Sequence, residues 1–425
     1  MQLDEGPDVP RRPATLTAPL ALTLGLTLGP ALAAAESAPL PPPVEQVDVL
    51  VVVDSTAGMA DERAALAGAI DDFVRDLQDA FPGDYGTALS LHLGVITADL
   101  GAGGHAHAGC AGDGDGGALR GGCAAVDGAF LQAEVTQWGK ATTNFDGEIG
   151  AAATCLVPIE LDGCPFQQPL GAAVTALTST DPANAGFLRP DALLAVLVVS
   201  NQDDCSAPAA FFDPASTALG PATPLRCAQQ GWTCTPPLDG TPQVHGACAA
   251  AVDGPMRGIG ELVAGLEALK TEPGRIVVGT LRGSPSPVEV VAAGDGAVVA
   301  PSCGAGTDLA AAPGLRLDAF AAAFPERHAA GLVCLDGYGT WLDEVVATIH
   351  TAAVGEPVEP PPGRDAGDAD WYCDGGWWEP TDAGEPGGAG ADPDADGCSA
   401  GGGASGGATA LTLLALLVAV RRRRA

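Results

Sequence analysis

Apolar and polar positions switch between two periods along residues 44–354. Val47 to Val53 (VDVLVVV) is a nearly unbroken apolar run, the pattern of a strand buried on both faces. Over Asp61 to Phe81 the period lengthens, and Leu66, Ile70, Phe73, Val74 and Leu77 share one face of a helix. Leu89 to Thr97 reads as a second strand. Ala192 to Ser200 is another buried strand, following a helix near Gln168 to Thr178. A helix over Pro255 to Leu269, a strand over Arg275 to Leu281, and helices over Leu317 to Phe324 and Tyr338 to Ala352 complete the pattern. Apolar strands alternating with helices predict an α/β fold, a doubly wound and mainly parallel sheet covered on both faces. Ligands of such sheets bind outside the carboxyl ends of the strands. The loops after Val53, Thr97 and Ser200 are therefore where chemistry is expected.

The flanking segments have a different character. Residues 1–35 read as a secretory signal peptide. Arg11 and Arg12 precede an apolar stretch from Ala14 to Leu32, and Ala31, Ala33, Ala34 and Ala35 suit a cleavage site; an uncleaved anchor is the alternative. Residues 355–397 are dominated by Pro, Gly and Asp. Such a stretch cannot bury a core and is expected to be a disordered, acidic, self-repelling stalk. Its Trp371, Tyr372, Trp377 and Trp378 read as a small local cluster around Cys373, or else as a binding element. In residues 398–425 the apolar core Ala410 to Val420 is short against the roughly 20 residues of a membrane span, so the preceding Gly/Ala/Ser stretch must be recruited. Arg421 to Arg424 then mark the cytoplasmic side, which leaves the bulk of the chain outside.

Charge narrows the function. With 19 basic against 53 acidic residues, the formal charge is −34. That field repels phosphate backbones, so nucleic acid is not an expected partner. It suits solubility outside the cell and can collect divalent cations loosely. Twelve cysteines in an exported chain read as a disulfide framework. Ten lie between Cys110 and Cys334, enough for five bridges. Short-range pairs (Cys110 with Cys123, Cys155 with Cys164, Cys227 with Cys234) are the simplest guess, although spacing does not fix connectivity.

The most informative loop follows the first strand and reads Asp54-Ser55-Thr56-Ala57-Gly58-Met59. A buried strand ending in an Asp and hydroxyl residues, and opening a long helix, resembles the start of a von Willebrand factor A (VWA) domain. The similarity continues through VDVLVVVDSTAGMADE, LGVITADLGAGG, GDGGALRGGC, DGCPFQQPL, NAGFLRPDALLAVLVVSNQDDCS, RCAQQGWTC, PGRIVVGTLRG and the PSC at Pro301 to Cys303. These stretches look like those of exported VWA proteins with MYXO-CTERM tails. The final segment, with Gly-Cys-Ser at residues 397–399 and its four arginines, resembles that sorting signal. The resemblance implies recognition at the membrane, cutting near Cys398 and display at the cell surface; a plain C-terminal membrane helix is the alternative.

The VWA resemblance also implies a metal-ion-dependent adhesion site, in which a hard cation takes oxygen ligands and a partner's carboxylate fills an open position. Matched residue by residue, the site is degenerate. Asp54 keeps the first ligand and Thr56 a hydroxyl, but Gly58 has no side-chain oxygen. Asn201 stands where the family has an Asp. The segment DGCPFQQPL, where a Thr is usually offered, has none; Asp203 and Asp204 are nearby acids that could compensate. The expected metal residues are thus Asp54, Thr56, Asn201 and Asp203, holding Mg²⁺ or Ca²⁺ weakly or not at all. A plain helix-capping role for Asp54 is the competing reading.

Other candidates are weaker. His105, His107 and Cys110 are metal-ligand types in a Gly-rich loop, with the Cys expected in a disulfide. Asp113 and Asp115 in GDGDGG could hold Ca²⁺ weakly, with a turn as the usual explanation. Asp392, Asp394, Asp396 and Gly397 imitate an EF-hand start but have Gly403 where an acid is required. The sequence has no G-x-S-x-G, H-E-x-x-H or Walker loop, and a non-enzyme is expected. These readings converge on a surface-displayed binding or adhesion module with an unidentified protein or surface ligand. A structural envelope protein with a vestigial metal site is the alternative.

Overall fold

The computed structural model of the protein describes residues 46–81, 89–135, 141–294 and 296–354. The expected signal peptide, the stalk with its tryptophans and Cys373, the Asp392 to Asp396 run and the tail with Cys398 lie outside the described residues.

The longest apolar runs form the middle of one sheet. β1 (Gln46–Val53) is buried at every position after Gln46. β2 (Ser90–Thr97) and, later in the chain, β5 (Leu193–Val199) are buried throughout. Between them lie the short strands β3 (Leu131–Val135) and β4 (Ala141–Thr143). Beyond β5 come β6 (Trp232–Cys234), β7 (Gln243–His245), β8 (Cys248–Ala250) and β9 (Ile276–Arg282), then β10 (Val288–Ala293), β11 (Gly296–Val299) and β12 (His328–Leu332). The main sheet has seven strands in the order β12-β9-β5-β1-β2-β3-β4. Pairing is parallel from β12 to β2 and antiparallel at β3 and β4. From β1 the strands are laid outward on one side, and from β5 outward on the other. Winding therefore reverses between β1 and β5, where open α/β sheets place their ligands.

Alternation along β1 divides the core in two. Val47, Val49, Val51 and Val53 pack under α1 (Ala60–Asp79), α2 (Ile149–Leu156) and α7 (Gly339–Val354). Leu50 and Val52 pack under α3 (Pro169–Thr178), α5 (Ile259–Glu267) and α6 (Leu315–Ala322). Each buried Val or Leu side chain contributes roughly 1.5–3 kcal/mol, so the two layers carry most of the stability. No helix among the described residues is long and apolar enough to cross a membrane.

Two small sheets, β11-β10-β7 and β6-β8, lie in the connections after β5. With α4 (Pro224–Gly231) they bury their own cluster of Leu225, Ala228, Trp232, Val288 and Val290. β6, β7 and β8, of three residues each, are too short for a period of two to show in the sequence.

Five disulfides staple the loops: Cys110–Cys164, Cys123–Cys155, Cys205–Cys227, Cys234–Cys248 and Cys303–Cys334. The ten cysteines are thus all bridged, but the three short-range guesses are wrong. Cys123 reaches α2 at Cys155, and Cys110 reaches Cys164 in the segment before α3. Cys205, just after β5, takes Cys227 on α4, leaving Cys234 for Cys248 across the β6–β8 pair. Loops far apart in sequence meet over the carboxyl edge of the sheet, so proximity along the chain was the wrong guide.

Candidate functional site

The register β1–β2–β5 sets Val53 beside Thr97 and Val199. Asp54 therefore emerges at the carboxyl edge next to Ala98 and Ser200. Asp54 N–H donates to Val199 O at 2.9 Å, and Ala98 N–H to Val53 O at 2.8 Å. The Asp54 carboxylate is fully buried and accepts three hydrogen bonds from its surroundings. Thr56 N–H and Thr56 Oγ1 donate to Oδ1 at 2.8 and 2.7 Å, and Ser200 Oγ donates to Oδ2 at 2.8 Å. Burial still pushes the acid above the usual carboxylate range, against the opposing pull of these donors.

Three side chains missed by sequence reasoning hold this loop. Arg63, fully buried on α1, donates through Nη1 to Asp54 O and Thr56 O, both at 2.8 Å, and through Nε to Ile159 O at 2.9 Å. Its signal was readable: Arg63 falls three residues before Leu66 on the apolar stripe of the helix. Gln167 accepts from Ser55 N–H at 3.0 Å and donates to Ser55 Oγ at 3.0 Å. It sits in DGCPFQQPL, where the VWA resemblance leads one to expect a Thr. Glu62 is buried, its Oε1 accepting from Asn201 Nδ2 at 3.2 Å while its Oε2 has no hydrogen-bond partner among the described residues. Burial foremost, and the nearby Asp54 charge, raise its pKa above the ordinary Glu range. Gly163 is required by close approach: a Cβ there would strike the Ser55 hydroxyl and Asp99 Oδ2.

The remaining expected ligands face elsewhere. Asn201 directs its amide nitrogen to Gly58 O and Glu62 Oε1, both at 3.2 Å. Both partners are acceptors, which fixes the amide orientation. Asp203 turns to the start of α6, accepting from Arg316 N–H at 2.9 Å, Leu317 N–H at 3.1 Å and Trp232 Nε1 at 2.6 Å. Asp204 is buried against Arg316 at 3.0 Å and caps α3 through Leu170 N–H at 3.1 Å. Both acids are thus packing groups, and neither compensates for the missing ligands. Of the expected set Asp54 and Thr56 bond each other directly, and Asn201 meets their loop at Gly58 O.

The donor set does not fit a tightly held cation. Gly58 offers no side-chain oxygen, Asn201 presents its nitrogen to the protein, and the Asp54 carboxylate already accepts three hydrogen bonds. Among the described residues no group of three or more His, Cys, Asp or Glu side chains is disposed to hold a metal ion. The His105, His107 and Cys110 cluster dissolves likewise. Cys110 is bridged, and His107 Nε2 lies 2.6 Å from Phe212 O. Asp115 accepts from Thr97 Oγ1 at 2.6 Å and pairs with Arg120 at 2.8 Å. Asp113 lies in a run of turns.

Beside the Asp54 loop a cleft of about 310 Å³ opens. Gln167, Asn201, Gln202 and Asp203 form its polar wall; α4, Trp232 and β11 form its apolar one. Trp232 lies in RCAQQGWTC, but nothing in that stretch signals a cleft. Asp203, on the shared wall, is pushed up to about 6, burial outweighing the N–H donors around it.

That shift fixes a pH dependence. The folded acid binds its proton more tightly than the unfolded one, so its contribution to stability is full below about pH 4 and lost as pH rises through about 6. Asp48, Asp54 and Glu62 shift in the same direction. Urea unfolding is expected to show the domain more stable at pH 5 than at pH 7.5 by about 1–3 kcal/mol. Asp203→Asn should flatten the slope. Stability that rises over this interval would mean that the fold favours these carboxylates as anions.

No protein-family model matches the chain, and no curated protein matches it.

Proposed function

We propose that the chain is an exported binding module of the VWA type, displayed at the cell surface, whose ligand site is the carboxyl edge of the main sheet and works without a bound cation. One observation carries this reading. At the reversal of winding between β1 and β5, a preformed cleft adjoins an Asp54 loop whose carboxylate is already hydrogen-bonded from within. Five disulfides support an oxidising location outside the cytoplasm. The sorting tail and stalk read from the sequence agree with display. The role is binding rather than catalysis, and the acidic surface favours partners that are neutral or basic where they touch it.

A second reading is a structural envelope spacer. It is favoured by the use of Asp203 and Asp204 as helix caps and packing groups. Capture separates the two. The immobilised chain, offered surface extracts of the cells that display it, is expected to retain the same partner in millimolar Mg²⁺ and in excess EDTA. Loss of that partner in EDTA would restore a cation-dependent site. Retention of no partner under either condition would favour the spacer.

A further inference from the structure

We propose that the cleft receives an extended peptide segment of a partner protein, which adds as a strand to the outer edge of β11 and seats one apolar side chain against Trp232. This assignment rests on the binding role proposed above and names the chemistry of the ligand.

The edge comes first. Among the described residues β11 pairs with β10 alone. Ala300 N–H donates to Glu289 O at 2.8 Å, and the antiparallel register continues through Val298↔Val291 and Gly296↔Ala293. Bonded and non-bonded pairs alternate in such a ladder. Residues 296, 298 and 300 therefore face β10 with their main-chain groups, and Ala297 and Val299 direct theirs the other way. Two residues apart, these groups match the repeat of an added strand, the main-chain recognition used by β-augmentation. Val298 and Val299 border the cleft, and Val298 is an exposed apolar side chain at its rim.

The cavity comes second. About 310 Å³ lies at the small end of ligand pockets, the scale of one large side chain with part of its neighbours. Leu225, Ala228, Trp232, Val299 and the Cys205–Cys227 bridge give it an apolar lining. Among the described residues no Lys, Arg or His lines it, so an anionic ligand finds no counter-charge there. Asn201 and Gln202 use amide N–H groups within the protein, on Gly58 O and Thr56 Oγ1. Each has its side-chain oxygen to offer, which suits a ligand that donates N–H. In a chain of net charge −34, basic flanks on the peptide are attracted and acidic flanks repelled.

The test uses the purified full chain and three synthetic probes followed by calorimetry. The first is acetyl-Lys-Thr-Val-Trp-Val-Thr-Lys-amide, the second has Glu for both Lys, and the third repeats the first with every backbone nitrogen from the first Thr to the second Lys methylated. The Lys-flanked peptide is expected to bind at least about tenfold more tightly than the Glu-flanked one, a difference of about 1.4 kcal/mol. The methylated peptide has the same side chains but cannot pair along the edge, and its binding should be lost. Ala228→Phe, which fills the cleft from α4, should abolish binding of the first peptide. Equal binding of the methylated probe would overturn strand addition, and equal binding by a folded Ala228→Phe chain would overturn the cleft as the seat. A chain already dimeric in solution, and monomeric as Val299→Pro, would make the occupant a second copy and overturn the proposal. If all three peptides fail while capture still retains a partner, the binding role stands and this assignment falls.

Discussion

Replacing Arg63 by methionine is expected to destabilise the domain by about 3–5 kcal/mol, the range seen when a buried charged network is broken. The guanidinium is fully buried and joins β1, the Asp54 loop and the segment before α3 through the carbonyls of Asp54, Thr56 and Ile159. A methionine fills much of the volume but donates nothing. The carbonyls of Asp54, Ile159 and Leu161 then lose a donor in a place water reaches poorly, while Thr56 O keeps that of Met59 N–H. Arg63→Lys separates charge from geometry. One ammonium cannot reproduce the planar fork, so the lysine variant should recover less than half of the loss. Urea unfolding read by circular dichroism is the measurement. A loss under about 1 kcal/mol for Arg63→Met would show that the loop holds its shape without this side chain, since typical surface changes stay within about 0.5 kcal/mol.

Arg316→Met is expected to cost a similar amount for a different reason. Arg316 pairs with the buried Asp204 at 3.0 Å and donates to Arg257 O at 2.7 Å. Its removal leaves a carboxylate uncompensated in the interior, at about 3–5 kcal/mol. Asp204→Asn in the same chain removes the stranded charge and should return a substantial part, because Asn can still accept from Leu170 N–H. The double-mutant cycle is therefore expected to show coupling of about 1–3 kcal/mol. Strict additivity would mean that the pair is an incidental contact. The arginine also explains Gly231, where a Cβ would meet Arg316 Cδ at 2.9 Å and Met256 Sδ at 2.9 Å. Packing here fixes the polar wall of the cleft, since Asp203 hangs from the same helix start.

The contrast between what was legible and what was not follows from range. Val47–Val53 and Leu193–Val199 declared themselves because strands buried on both faces must be apolar throughout. Helix α1 was legible from its stripe, to within two residues at each end. β6, β7 and β8 have three residues each, too few for any period, and their stability comes from a disulfide and from α4. The position of Asp54 was legible because a loop after a buried strand is local. The surroundings of Asp54 were not, since Gln167 and Ser200 arrive from 113 and 146 residues away, the differences of their numbers. The partners of Asp203 were not legible for the same reason: those on α6 are more than a hundred residues later. Composition announced the disulfides but not their pairing, which depends on how loops cross the sheet edge.

Cation independence of the Asp54 loop is the central claim, and calorimetric melting of the purified chain with and without Mg²⁺ tests it most directly. An ion bound to the folded state at a hundredfold excess over Kd contributes about 2.7 kcal/mol, on the order of 5 °C for a domain of this size. The acidic surface collects ions nonspecifically, so the shift is compared with that of Asp54→Asn, which alters only the loop. The account predicts the same small shift, within about 1 °C, in both chains at millimolar Mg²⁺. A rise of about 5 °C in the wild type that is absent in Asp54→Asn would contradict it and make the loop a working cation site.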